Sequence, residues 1–144
     1  MNAARRTVET KGRRCSILEA GEGPLVLLLH GFPDVGLTFA PLLAPLAAAG
    51  FHVVAPDARG CGRTPAGAEA TTRAHVADAC ALVEALGERT AVVVGHDWGA
   101  VTAWKCAELH PATFEAVVSL GTPFTARPPA PPLETLRARS GSWK

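Results

Sequence analysis

The residue best placed to do chemistry is Asp97, at the centre of Gly95-His96-Asp97-Trp98-Gly99. The preceding Ala91-Val92-Val93-Val94 is a β-branched run expected as a buried strand, and Ala100 to His110 behind it reads as a helix. A Gly-x-acid-x-Gly pattern between strand and helix is that of a nucleophile elbow. The turn is so tight that its central residue is strained and its side chain is held up at the carboxyl end of the sheet. Gly95 and Gly99 carry no side chain because the strand and helix backbones pass close together there. The group presented is a carboxylate rather than a hydroxyl or thiol. Attack by a carboxylate on an ester would give a high-energy anhydride. Attack at a saturated carbon gives an ordinary alkyl ester, so the pattern selects substrates with a leaving group on carbon, such as an epoxide oxygen or a halide. Water must then hydrolyse that ester.

Hydrolysis of an Asp97 ester builds an oxyanion on the carboxyl group, which calls for two amide donors. One is the backbone N–H of Trp98, directly after the acid. His30-Gly31-Phe32-Pro33 follows an earlier apolar run, Leu25 to Leu29, and Phe32 can supply the other. Phe32-Pro33 is a candidate cis bond, since only X–Pro adopts cis cheaply. His30 precedes Asp97 in the chain, whereas the base of such a site follows its nucleophile, so His30 is read as a structural histidine of the loop. The one histidine after Asp97 is His110. It lies about 18 Å along the helix from its start, at about 1.5 Å per residue, and cannot act as the base.

The elements that position these residues follow from periodicity. Arg5 to Thr10 and Arg13 to Glu19 read as strands of a hairpin turning at Lys11-Gly12. Leu25 to Leu29 is a strand buried on both faces. Thr38 is placed to cap a helix with Leu42, Leu43, Leu46 and Ala49 inward, ended by Gly50. Phe51 to Ala55 is the next strand, followed by a loop from Pro56 through Thr71. Thr72 is placed to cap a second helix with Val76, Cys80, Val83 and Leu86 inward, stopped by Gly87. Phe114 to Leu120 is a last strand. Strands alternating with helices predict an α/β fold with a doubly wound, mostly parallel sheet. Residues 1–122 form that core. Residues 123–144 form a proline-rich connector, with a helix beginning over Leu133 to Arg139. No internal repeat is present.

The 144 residues suffice for one ordinary domain, and a net charge of +1 implies no nucleic-acid partner. The aliphatic run Leu25 to Leu29 is too short for a bilayer, and no apolar segment follows the charged start, so neither a membrane span nor a signal peptide is expected. The four cysteines, Cys15, Cys61, Cys80 and Cys106, lack C-x-x-C spacing and read as free thiols of a cytoplasmic protein. The five histidines lack ligand spacing, so no metal is assigned, and no cofactor either. A dinucleotide site wants G-x-G-x-x-G opening a helix, which neither His30-Gly31-Phe32-Pro33 nor Gly60-Cys61-Gly62 provides.

Taken together these residues resemble the epoxide hydrolase branch of the α/β-hydrolase superfamily. Four segments carry the resemblance in order. They are His30-Gly31-Phe32-Pro33 for its H-G-x-P; Gly60-Cys61-Gly62-Arg63-Thr64 for its G-x-small-x-Ser/Thr; Gly95-His96-Asp97-Trp98-Gly99; and Ser119-Leu120-Gly121-Thr122-Pro123-Phe124. Asp57 and Arg59, beside the second segment, are read as structural, in a loop ion pair or backbone cap. The resemblance implies Asp97 as nucleophile, Phe32 and Trp98 as amide donors, and a small-molecule epoxide as substrate. It also implies that the base, its acid and the cap tyrosines lie outside this sequence. Gly121 and Thr122 occupy the place where some dehalogenase-type relatives carry the acid, and the sequence contains no Tyr. The chain reads as the front part of such an enzyme, stopping at the start of its cap and inactive by itself, with Phe114 to Leu120 as an exposed edge and poor folding expected. Two alternatives stand beside it: a haloalkane or haloacid dehalogenase acting on an alkyl halide held by the Trp98 indole, and a non-catalytic fragment completed by another chain.

Overall fold

The computed structural model describes residues 3–124. β1 (Ala4–Thr10) and β2 (Arg13–Ala20) form an antiparallel hairpin in which Thr10 faces Arg13. That register leaves a two-residue turn with φ of 31° at Lys11 and 81° at Gly12, the left-handed pair that matches strand twist. β3 (Leu25–Leu29), β4 (His52–Pro56), β5 (Ala91–His96) and β6 (Phe114–Leu120) pair in parallel, and β2 joins β4 antiparallel. Among the described residues the sheet order is β1-β2-β4-β3-β5-β6.

Helices cover both faces. α2 (Thr72–Ala85) and α3 (Trp98–Leu109) close one core with Ile17, Leu27, Val54, Val76, Leu82 and Val93. α1 (Ala40–Ala48) closes the other with Leu28, Val53, Phe39 and Leu43. Adjacent Leu27 and Leu28 thus serve opposite cores, as strand alternation requires. The doubly wound expectation is met.

The helix starts differ from expectation. Thr38 caps nothing: it lies inside a 3₁₀ turn, Gly36–Phe39, and the residue at the start of α1 is Phe39, whose side chain is buried in the core. The inward stripe is therefore Phe39, Leu43 and Ala47, at i,i+4 spacing, with Leu46 half-buried, while Leu42 and Ala49 face solvent. The cap of α2 is Thr71, not Thr72. Thr71 has extended backbone and its hydroxyl accepts the Ala74 N–H at 3.2 Å. Cys80 and Leu86 pack only partly buried against that core.

β6 lies at the sheet edge among the described residues, with Val118 and Leu120 exposed to just under half and Val117 packed against the core. No helix among the described residues is long and apolar enough to cross a membrane. The expected connector over 123–144, including Leu133 to Arg139, lies outside the described residues apart from Pro123 and Phe124.

Candidate active site

β5 ends at His96 and α3 begins at Trp98, so Asp97 alone turns the chain. It does so at φ 54° and ψ −119°, a conformation rare for a residue with a side chain. Gly95 is needed because a Cβ there would stand 2.5 Å from Ala100 Cα. The Gly99 backbone crowds Gly95 as expected, and a Cβ on Gly99 itself would point at the neighbouring strand β3 and overlap the Leu29 carbonyl.

β3 pairs with β5 so that Leu29 stands beside Gly95, which delivers the His30-Gly31-Phe32-Pro33 loop to the Asp97 turn. The Phe32 N–H donates to Asp97 Oδ1 at 3.2 Å. The Trp98 and Phe32 amides hold the carboxyl below its ordinary value of 3.8. The rings of Phe32 and Trp98 stack at 5.7 Å and stand 68% and 65% exposed above the turn. The Phe32–Pro33 bond is cis, as its sequence allowed.

His30 is buried and takes no part in this group. Its Nδ1 meets the Gly31 carbonyl at 2.7 Å, and its Nε2 accepts the Ala58 N–H at 2.9 Å, which puts the proton on Nδ1. It fastens the loop after β3 to the loop after β4. His110 stands at the far end of α3.

Asp57 and Arg59 do not pair with each other. Buried Asp57 accepts the Gly36 and Arg63 N–H groups and a guanidinium hydrogen of Arg5, at 2.9 to 3.0 Å. Burial pushes its carboxyl up, and the Arg63 and Gly36 amides with Arg5 outweigh that, leaving it below the ordinary 3.8. Arg59 forks onto both oxygens of Asp78 at 2.7 Å and also donates to the Ala74 carbonyl.

A cavity of about 700 Å³ opens beside the Asp97 turn, with His30, Phe32, Trp98, Thr102, His75 and Asp78 among its walls. That volume is within the usual range for a small-molecule site. Sequence reasoning missed the contribution of α2. The only trace was the i,i+3 spacing of His75 and Asp78, which puts both on one helix face. Burial, then the charge of Arg59, pushes the His75 imidazole below 6.5. All four cysteines are free, and burial raises Cys15 to about 11 and Cys106 to about 12, so neither is a thiolate at neutral pH. Among the described residues no cluster of three or more His, Cys, Asp and Glu could hold a metal ion.

The model of the alpha/beta hydrolase fold family matches residues 24–143. An epoxide hydrolase of Caballeronia sordidicola is 41% identical over 133 residues, covering 90% of this chain and 40% of that protein. Epoxide hydrolase A of Mycobacterium tuberculosis is 41% identical over 141 residues, covering 94% of this chain and 44% of its own length. Among solved structures, an epoxide hydrolase from an endophytic Streptomyces superposes with a TM-score of 0.86 at 46% identity, covering 98% of this chain and 43% of that one. An epoxide hydrolase from Vigna radiata gives a TM-score of 0.86 at 38% identity, covering 97% and 47%. The chain thus spans about two-fifths of the length of the curated relatives it matches. It belongs to the alpha/beta hydrolase family, and its similar relatives named here are epoxide hydrolases.

Proposed function

We propose that residues 1–122 carry the nucleophile part of an epoxide hydrolase site, with Asp97 as nucleophile in an elbow and the Phe32 and Trp98 amides as its oxyanion hole. One observation carries the reading: a carboxylate on a positive-φ residue between strand and helix, with the Phe32 N–H 3.2 Å from its Oδ1. Those amides also keep the group ionised, as a nucleophile needs.

In the first step a carboxylate oxygen of Asp97 bonds to an epoxide carbon. The C–O bond of the ring breaks, and the ring oxygen takes a proton from a general acid or from water. The product is a hydroxyalkyl ester on Asp97. In the second step water attacks the Asp97 carboxyl carbon as a base takes its proton. The oxyanion sits between the two amides, and losing one such donor typically costs about 2.7–4 kcal/mol. Collapse breaks the bond between the Asp97 carboxyl carbon and the ester oxygen. That oxygen takes back the proton held by the base and leaves as the diol, and the Asp97 carboxyl gives its remaining proton to solvent and is a carboxylate again. His110, at the far end of α3, is out of reach of Asp97, so the base, its orienting acid and the proton donor are not assigned to any described residue. Free cysteines support a reducing, cytoplasmic setting.

Incubation of the chain with styrene oxide and intact-mass measurement tests the first step. The expected result is a single adduct mapped to Asp97 and absent from Asp97→Ala. Folded protein that gains no adduct overturns the proposal. Adduct from a bromoalkane but not from styrene oxide would move the reading to a dehalogenase.

A further inference from the structure

A residue with a side chain keeps a strained backbone conformation only where its surroundings over-determine it. Part of what holds Asp97 belongs to α3: the Ala100 and Val101 N–H groups donate to the Asp97 carbonyl at 3.0 and 3.3 Å. Any helix starting here would supply those. The remaining hydrogen bonds to the Asp97 backbone come from β6 and the loop after it. The Leu120 carbonyl accepts the Asp97 N–H at 3.4 Å, and the Thr122 hydroxyl donates to the Asp97 carbonyl at 3.3 Å. Pairing of β5 with β6 as far as His96 opposite Leu120 brings this loop alongside.

The loop is itself fixed. The Thr122 carbonyl accepts the indole N–H of Trp104 at 3.1 Å and the hydroxyl of Ser119. The Trp104 ring meets Phe124 edge-on at 5.2 Å. A side chain nearly two turns into α3 thereby sets where the Thr122 hydroxyl stands, and the hydroxyl sets the Asp97 carbonyl.

We propose that Thr122 is a positioning residue for Asp97, clamping the strained turn through its hydroxyl, with Trp104 holding the clamp through the Thr122 carbonyl. The clamp is a matter of geometry; only its effect on reactivity rests on Asp97 being the nucleophile. Without it the turn relaxes and the carboxylate drifts from the Phe32 amide.

The test uses the full chain with Thr122→Val, Thr122→Ser and Trp104→Phe. Two quantities are followed: the rate of adduct formation with styrene oxide, and hydrogen exchange of the Asp97 amide by NMR. Thr122→Val should slow adduct formation about tenfold, the worth of one hydrogen bond, and speed the exchange. Thr122→Ser should restore both, and Trp104→Phe should move both the same way by less. Wild-type values in a folded Thr122→Val, or failure of Ser to rescue, overturn the proposal. If Thr122→Val does not fold, Trp104→Phe decides, and wild-type values there are equally fatal. If the wild type gains no adduct, the nucleophile reading falls and exchange alone decides the clamp.

Discussion

The Phe32 N–H reaches Asp97 Oδ1 at 3.2 Å across 65 positions of sequence. Parallel pairing of Leu29 with Gly95 makes that meeting possible, since it brings the carboxyl ends of β3 and β5 side by side. This is where open α/β sheets place their sites, outside the carboxyl ends of adjacent strands. The fit leaves no room at Gly31, where a Cβ would stand 2.6 Å from both Cβ and Oδ1 of Asp97.

Gly31→Ala is therefore expected to push the carboxylate off the Phe32 amide. Adduct formation with styrene oxide should fall about a hundredfold, the scale of a reacting group misplaced by about 1 Å. Stability should fall by about 1–3 kcal/mol as the loop moves to relieve the overlap. Intact-mass kinetics and urea melts read the two effects separately. A variant reacting at the wild-type rate would mean that Gly31 does not set the carboxylate's place.

Strands and the Asp97 turn were legible in the sequence because their signals are local. Leu25 to Leu29 and Phe114 to Leu120 were bounded by their own apolar runs, and both strands have those ends. The Gly-x-Asp-x-Gly turn announced itself by spacing, although the neighbour that makes Gly99 necessary is Leu29, on a different strand. Helix starts were less legible, because hydroxyl residues near a start compete and packing chooses between them. At α1 burial of Phe39 drew the chain into a 3₁₀ turn through Thr38. The partners of Asp57 were not legible at all. Arg5 lies 52 positions away and Gly36 lies 21, and nothing local in either stretch points to the other. The α2 wall of the cavity was hidden for the same reason.

The competition between Thr71 and Thr72 gives a direct test of cap assignment. Thr71 accepts the Ala74 N–H, one of the donors left unpaired at a helix start, whereas Thr72 is already the first residue of α2. Thr71→Ala should cost about 1 kcal/mol in urea melts. Thr72→Ala should be neutral within about 0.5 kcal/mol, as at an ordinary surface position. Equal losses would show that the hydroxyl of Thr71 contributes nothing specific.

Asp57 makes folding stability depend on pH in a definite direction. Its side chain is 1% exposed, and Arg5, only 24% exposed, is its ion-pair partner at 3.0 Å. The folded carboxyl lies below its ordinary 3.8. A carboxyl depressed on folding stabilises fully above its unfolded value, and the contribution disappears as pH falls through the lower folded value. Asp57→Asn removes the charge, leaves Arg5 unpaired, and gives up an acceptor oxygen that the Gly36 or Arg63 amide needs. Near neutral pH it should cost about 3 kcal/mol, at the low end for breaking a buried pair because Arg5 keeps some contact with water. As acid protonates the wild-type carboxyl, that protein loses a contribution the variant already lacks, so the gap between them should narrow steadily below the ordinary carboxylate range. Urea melts of both proteins across that range measure the gap. A gap of constant size would mean that Asp57 acts by shape and hydrogen bonding alone, with its charge contributing nothing.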